Sequence, residues 1–161
     1  MNNLELKDVL PVMEEKLKCG GEVTFTPYGR SMLPTIRGGR DSVVLKKKQN
    51  IKVNDVCLFL REDGTPVLHR VIRIKNGKPV FKGDNTYVPE KDAAEIIGTV
   101  AKIIRNGKEI DVASFRHKFT IFFVRVIWPI RLFIKKAIIK IKMIIYGLKK
   151  EKNWAHSHKD D

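Results

Sequence analysis

Between residues 22 and 112 the chain repeats one pattern: apolar stretches of strand length, separated by turns that fold the backbone back on itself. Asp63-Gly64, Asn76-Gly77 and Asn106-Gly107 mark the tightest of these turns, because Asp, Asn and Gly reach the backbone angles that short hairpins need. The pattern predicts strands at Glu22–Thr26, Ser42–Lys46, Val56–Leu60, Val67–Ile74, Pro79–Lys82 and Ile96–Arg105. Strands joined by hairpins pair antiparallel, so residues 21–114 read as a small antiparallel β domain. Ahead of it, Leu4, Val9, Leu10, Met13 and Leu17 fall at helical spacing, with Glu14, Glu15 and Lys16 on the other side. Cys19-Gly20-Gly21 then stops a helix assigned to residues 1–20. The fold class is mainly β (α+β), and 161 residues suffice for one domain with a core plus an appendage.

Within the β domain, Gly29-Arg30-Ser31-Met32-Leu33-Pro34 places a serine on a fixed turn: Gly29 permits an unusual backbone angle and Pro34 prevents a helix. A turn serine ordinarily bonds its own backbone, and a serine nucleophile needs a neighbouring base. Of the four histidines, His117, His156 and His158 lie in basic or tail-like segments. His69 instead sits in a strand pattern, where Val67, His69 and Val71 alternate with Leu68, Arg70 and Ile72. A lone strand histidine is commonly a half-buried structural residue, so its meaning depends on its neighbours.

Three segments in order, Ser31-Met32-Leu33-Pro34, His69-Arg70-Val71 and Gly83-Asp84-Asn85, resemble the type I signal peptidases and the related self-cleaving SOS-repressor peptidases. The resemblance runs from about residue 22 to 105 and is nearest to the endoplasmic-reticulum type, which uses His where the bacterial housekeeping enzymes and repressors use Lys. It implies Ser31 as nucleophile, His69 as general base and Asp84 as the carboxylate that orients or stabilises the imidazole. It also implies a signal-peptidase-type β domain acting on exported or leader peptides with small residues before the cut. The chain departs from the family in three places. A second acid beyond Gly-Asp-Asn is replaced by Glu90 or Asp92 as nearest substitute, and the Gly-Asp pairs that open two strands become Gly39-Arg40-Asp41 and Asn54-Asp55. Asp41 and Asp55 are accordingly read as turn residues, with Asn54 tolerating the left-handed conformation in place of Gly. Met1 to Lys18 carries four acids and no long apolar core, so no signal peptide or anchor is expected there.

Residues 115–152 differ in kind. They contain 11 Lys or Arg and one acid, Glu151, and so supply a net +10 of the chain's +14. On a helical wheel Ile130, Phe133, Ile134, Ala137, Ile138, Ile141, Ile144, Ile145 and Leu148 share one arc. Arg131, Lys135, Lys142 and Lys149 line one flank, and Lys136 and Lys140 lie opposite. Charges interrupt every stretch long enough to span a bilayer. A helix packed on the β domain accounts for the arc but not for the Lys excess, whereas a monotopic helix in an anionic membrane surface accounts for both. The Lys excess favours a cytoplasmic leaflet, while the family's chemistry is usually done on the far side, so the side is left open. Nucleic acid is disfavoured as a partner, since the apolar arc has no use there and no helix-turn-helix or zinc pattern is present. Residues 153–161 read as a disordered tail.

Cys19 and Cys57 have neither disulfide-framework nor metal-site spacing, and no cofactor motif is found. The expectation is therefore a membrane-associated serine endopeptidase with peptide or precursor-protein substrates. Two other readings remain open: a non-catalytic peptidase-like binding module at a membrane, and a self-cleaving, repressor-like regulator.

Overall fold

The computed structural model describes residues 3–90 and 93–112, together with residues 122–123, 126, 130, 133–134, 137–143 and 145–146, which are helical. The chain divides into two units, residues 1–122 and 123–161. The first is a small α+β unit built on a seven-stranded, antiparallel sheet.

Helix α1 spans Asn3–Lys18, followed by β1 (Val23–Phe25), β2 (Ser42–Lys46), β3 (Val56–Arg61), β4 (Pro66–Lys75), β5 (Lys78–Lys82), β6 (Ala93–Arg105) and β7 (Lys108–Asp111). Each predicted strand is present to within a few residues. β7 was not foreseen, because Lys108-Glu109-Ile110-Asp111 is short and mostly charged and takes its place only by pairing with β6. The spatial order is β1-β2-β6-β3-β4-β5, with β7 also on β6. Asn76 and Asn106 stand at φ 50° and 51°, as the β4–β5 and β6–β7 hairpin turns require. Asn54, expected to replace a glycine, has φ 80°.

Two apolar clusters follow from strand alternation. On one face Val56, Leu58 and Leu68 join Val43, Leu45, Ile97, Val100 and Ile103 beneath Leu6, Leu10, Met13 and Leu17 of α1. The helix thus buries Leu6 where the periodicity had put Val9, which is 38% exposed. On the other face Cys57, Phe59, Val71 and Phe81 form a smaller cluster, with Phe59 stacked on Phe81 at a centroid distance of 4.3 Å. β3 and β4 are therefore covered on both sides, and a side chain on either face is held against a packed wall.

Asp41 does more than occupy a turn. Its carboxylate is fully buried, receives the Arg37 N–H at 2.8 Å and lies 2.6 Å from an Arg105 nitrogen. Burial alone would push this acid up, but the hydrogen bonds from Arg105 and Arg37 hold it below the ordinary carboxylate range. The segment between β1 and β2 is thereby tied to the C-terminal end of β6.

In the second unit the described residues of the predicted arc, among them Ile130, Phe133, Ile134, Ile138, Ile141 and Ile145, are helical with exposed side chains. Ile144, Leu148, Arg131, Lys135, Lys136, Lys149 and the 153–161 tail lie outside the described residues. Among the described residues no helix is long and apolar enough to cross a membrane.

Truncating Leu58, which is fully buried beneath α1, is expected to lower the free energy of unfolding by roughly 2–5 kcal/mol. Val53→Ala, at an exposed position, should change it by less than about 0.5 kcal/mol. Urea denaturation of both variants checks the contrast.

Candidate functional site

Consecutive residues of β4 serve opposite faces of the sheet. His69 points to the smaller cluster, where its ring lies 6.3 Å from that of Phe59, and Arg70 points away into an ionic network. Both are buried, at 4% and 1% exposure, so neither orientation is free to relax.

The loop between β1 and β2 carries Ser31 and is closed at its neck by backbone contact. Gly39 N–H donates to Pro27 carbonyl at 2.8 Å, and an ideal Cβ on Gly38 would stand 2.1 Å from the Gly29 carbonyl oxygen. No side chain fits at Gly38. Inside the loop, Ile36 N–H donates to the Met32 carbonyl at 2.9 Å, and the Thr35 hydroxyl oxygen stands at the same distance from that carbonyl. The Leu33–Pro34 peptide is cis.

The Gly83-Asp84-Asn85 triplet then fixes this loop against β4. Asn85 N–H donates to the Ser31 carbonyl at 2.7 Å, and Asn85 Nδ2 donates to the Arg30 carbonyl at 3.1 Å. Asp84 takes two hydrogen bonds from Arg70, both at 2.8 Å, and a third from Thr35 Oγ1. Gly83 passes so close that an ideal Cβ there would lie 2.7 Å from the Ser31 carbonyl oxygen and 2.9 Å from His69 Nε2. Ser31 backbone and imidazole Nε2 therefore converge on one point, which only a glycine leaves open.

The other ring nitrogen faces a carboxylate, though not the one the motif suggested. Glu90 Oε1 stands 3.1 Å from His69 Nδ1, whereas Asp84 is committed to Arg70 and Thr35. The reason is the alternation of β4: the acid that pairs with Arg70 cannot also reach Nδ1 on the opposite face. Glu90 is off the line of an Nδ1–H, so the two groups make a close electrostatic contact without a formed hydrogen bond. Asp92, the other acid considered, lies outside the described residues.

Glu90 is held from two sides. Its N–H donates to the Phe81 carbonyl at 2.8 Å, and Arg61 grips its carboxylate through Nε at 2.9 Å and an outer nitrogen at 2.8 Å. Those Arg61 hydrogen bonds keep the Glu90 carboxyl below the ordinary carboxylate range. For His69, burial is the largest influence and lowers its pKa from 6.5, the Arg61 charge acting the same way while Glu90 and Asp84 oppose them. At neutral pH the imidazole is thus uncharged and able to accept a proton, beside an ionised acid.

Ser31, His69, Arg61, Glu90, Arg30 and Tyr28 all line one groove of about 340 Å³. A larger cavity, about 680 Å³, runs beside Lys46, Lys47, Lys48 and Lys52, but among the described residues no serine, cysteine or histidine lines it. Cys57 pairs with His69 in the β3–β4 register, yet it is fully buried and burial pushes its thiol up to about 12, which removes it as a nucleophile. Among the described residues no cluster of His, Cys, Asp or Glu could hold a metal ion. Arg61 was missed by the motif reading. Strand parity carries the signal, since Cys57, Phe59 and Arg61 alternate on the face that His69 shares. No family model matches the chain, and no curated protein matches its sequence.

A lowered imidazole pKa makes stability depend on pH with a defined sign. Below about 6.5 the unfolded chain binds a proton at position 69 that the folded chain does not. Stability is therefore lost as pH falls from that value toward the lower folded one, while the loss due to Glu90 begins only below its ordinary 4.5. Urea unfolding at about pH 7.5 and 5.5 should show a larger drop for the native chain than for His69→Gln.

Proposed function

We propose that this chain is a serine endopeptidase of the signal-peptidase type, in which Ser31 is the nucleophile, His69 the general base and Glu90 the carboxylate beside it. The observation that carries the reading is the convergence of the Ser31 backbone carbonyl and His69 Nε2 on Gly83, in a groove that both residues line, with Glu90 at Nδ1 of the same buried ring. In this role the Ser31 hydroxyl adds to the scissile carbonyl as its proton passes to Nε2. The imidazolium, favoured by Glu90, then protonates the leaving amine, and water repeats the sequence to free the acyl-enzyme. In this role the oxyanion takes its hydrogen bonds from backbone N–H groups of the Ser31 turn. Asp84 takes the role of holding the Ser31 loop and Arg70, in place of orienting the imidazole.

The substrates are exported or leader peptides laid along the open groove, and the basic helical segment holds the protein at an anionic membrane surface. Support for the second part comes from the exposed apolar residues of the helical unit, together with the net +10 of residues 115–152.

Incubation of the full chain with a library of leader-type peptides, read by mass spectrometry, tests the reading. Cleavage should fall by roughly a thousandfold or more in Ser31→Ala and in His69→Ala, and by at least about tenfold in Glu90→Gln. Cleavage that survives both of the first two changes would sink the assignment, and a groove that binds peptides without cutting them would favour the binding module. For the membrane, the full chain should float with anionic vesicles and not with neutral ones. Changing Lys135, Lys136, Lys140 and Lys142 together to Glu should abolish flotation, and equal flotation of both forms would refute the helix as the anchor.

A further inference from the structure

Among the charged side chains of the groove, Arg61 is the one whose position is fixed from several directions while taking no part in proton transfer. It is the last residue of β3, and its N–H donates to the Thr65 carbonyl at 3.0 Å across the β3–β4 turn. Its guanidinium meets Glu90 side-on, Nε to Oε2 at 2.9 Å and an outer nitrogen to Oε1 at 2.8 Å. Oε1 is also the atom that stands 3.1 Å from His69 Nδ1. One carboxylate oxygen thus serves a guanidinium and an imidazole at once.

A glutamate reaching in from a loop has three rotatable bonds and would otherwise sample many positions at Nδ1. A planar two-point fork removes that freedom, which a lysine's single ammonium cannot do. We propose that Arg61 is the positioning residue of this site, holding the Glu90 carboxylate at His69 Nδ1 and dividing Oε1 between the guanidinium and the ring. The kinetic part of this inference rests on the peptidase reading; the positional part does not.

The groups around the ring make the consequence testable. Arg61 and the neutral Cys57 face it from β3 and Glu90 from the segment after β5, the Asp84 charge acts on it through space from the Arg70 side, and Arg30 lies across the groove on the Ser31 loop. Removing Arg61 takes away a positive charge beside the ring, which favours the imidazolium. Removing the Glu90 charge does the opposite.

The experiment is an NMR titration of the His69 imidazole in the full chain, its signal assigned by its absence in His69→Gln. Relative to the native chain, Arg61→Gln should raise the His69 pKa by roughly one unit and Glu90→Gln should lower it. Arg61→Lys, which keeps the charge and loses the fork, should fall between native and Arg61→Gln, and it serves as the test if Arg61→Gln does not fold. Values for both Arg61 variants within about 0.2 unit of native would reduce Arg61 to an ordinary surface ion pair and overturn the proposal. On a cleaved peptide, Arg61→Lys should lower kcat by roughly tenfold with KM little changed, since position rather than binding is lost. A titration that moves as expected in a chain that cuts no peptide would refute the peptidase reading and leave the positioning intact.

Discussion

The buried pair of Arg70 and Asp84 is the interaction on which the site's geometry depends. Side-chain exposure is 2% for Arg70 and 5% for Asp84, so neither charge has water to fall back on. Their two hydrogen bonds, with Thr35 as a shared third partner and the Asn54 carbonyl taking another Arg70 nitrogen at 2.8 Å, leave few polar atoms unmatched. Taking two charges out of water is costly, and an apolar pair of the same shape could be as stable or more so. What apolar side chains would not supply is direction. Three segments far apart in sequence, the Ser31 loop, strand β4 and the turn after β5, are brought to one place by groups that accept only one arrangement.

From that anchor the triplet Gly83-Asp84-Asn85 divides its work by residue. Asp84 binds the strand, Asn85 binds the Ser31 and Arg30 carbonyls, and Gly83 keeps out of the space between serine backbone and imidazole. A second anchor, Asp41 with Arg37 and Arg105, secures the far end of the same loop. Both ends and the middle of the serine loop are therefore tied down, and the place of Ser31 is set by its surroundings. Loops ordinarily have more freedom than the elements they join.

Much of this architecture is legible in the sequence, for a physical reason that also sets its limit. Strands β2 to β6 announce themselves because their apolar residues recur between residues that force a turn, and both signals are local. The serine and histidine are legible as members of an ordered motif. The carboxylate is not, because its identity depends on which face of β4 each acid can reach from the segment after β5. Asp84 is adjacent to the motif glycine and was the natural choice, yet Arg70 claims it, and Glu90 arrives at Nδ1 by way of a backbone bond to Phe81. Asp41 was read as a turn residue because nothing nearby in sequence shows that Arg105, 64 residues away, will cover it. The requirement for glycine at position 38 is hidden for the same reason, since what excludes a side chain there is the neighbouring backbone of Gly29.

The side-by-side placement of His69 and Arg70 makes the β3–β4 ladder a switchboard with a single correct setting. A slip of one residue in that pairing would turn every side chain of β4 to the opposite face, sending a guanidinium into the groove and an imidazole toward Asp84. Such a slip would leave Asp84 buried without its guanidinium and put the Arg70 charge where the His69 ring packs beside Phe59, so the ladder tolerates one register. The tight turn at Asp63-Gly64, where the Gly64 N–H meets the Arg61 carbonyl at 2.9 Å and Thr65 N–H meets Asp63 Oδ1 at 2.7 Å, fixes the count of residues between the strands. An insertion there, harmless in most exposed hairpins, would change which face of the sheet His69 and Arg70 each take.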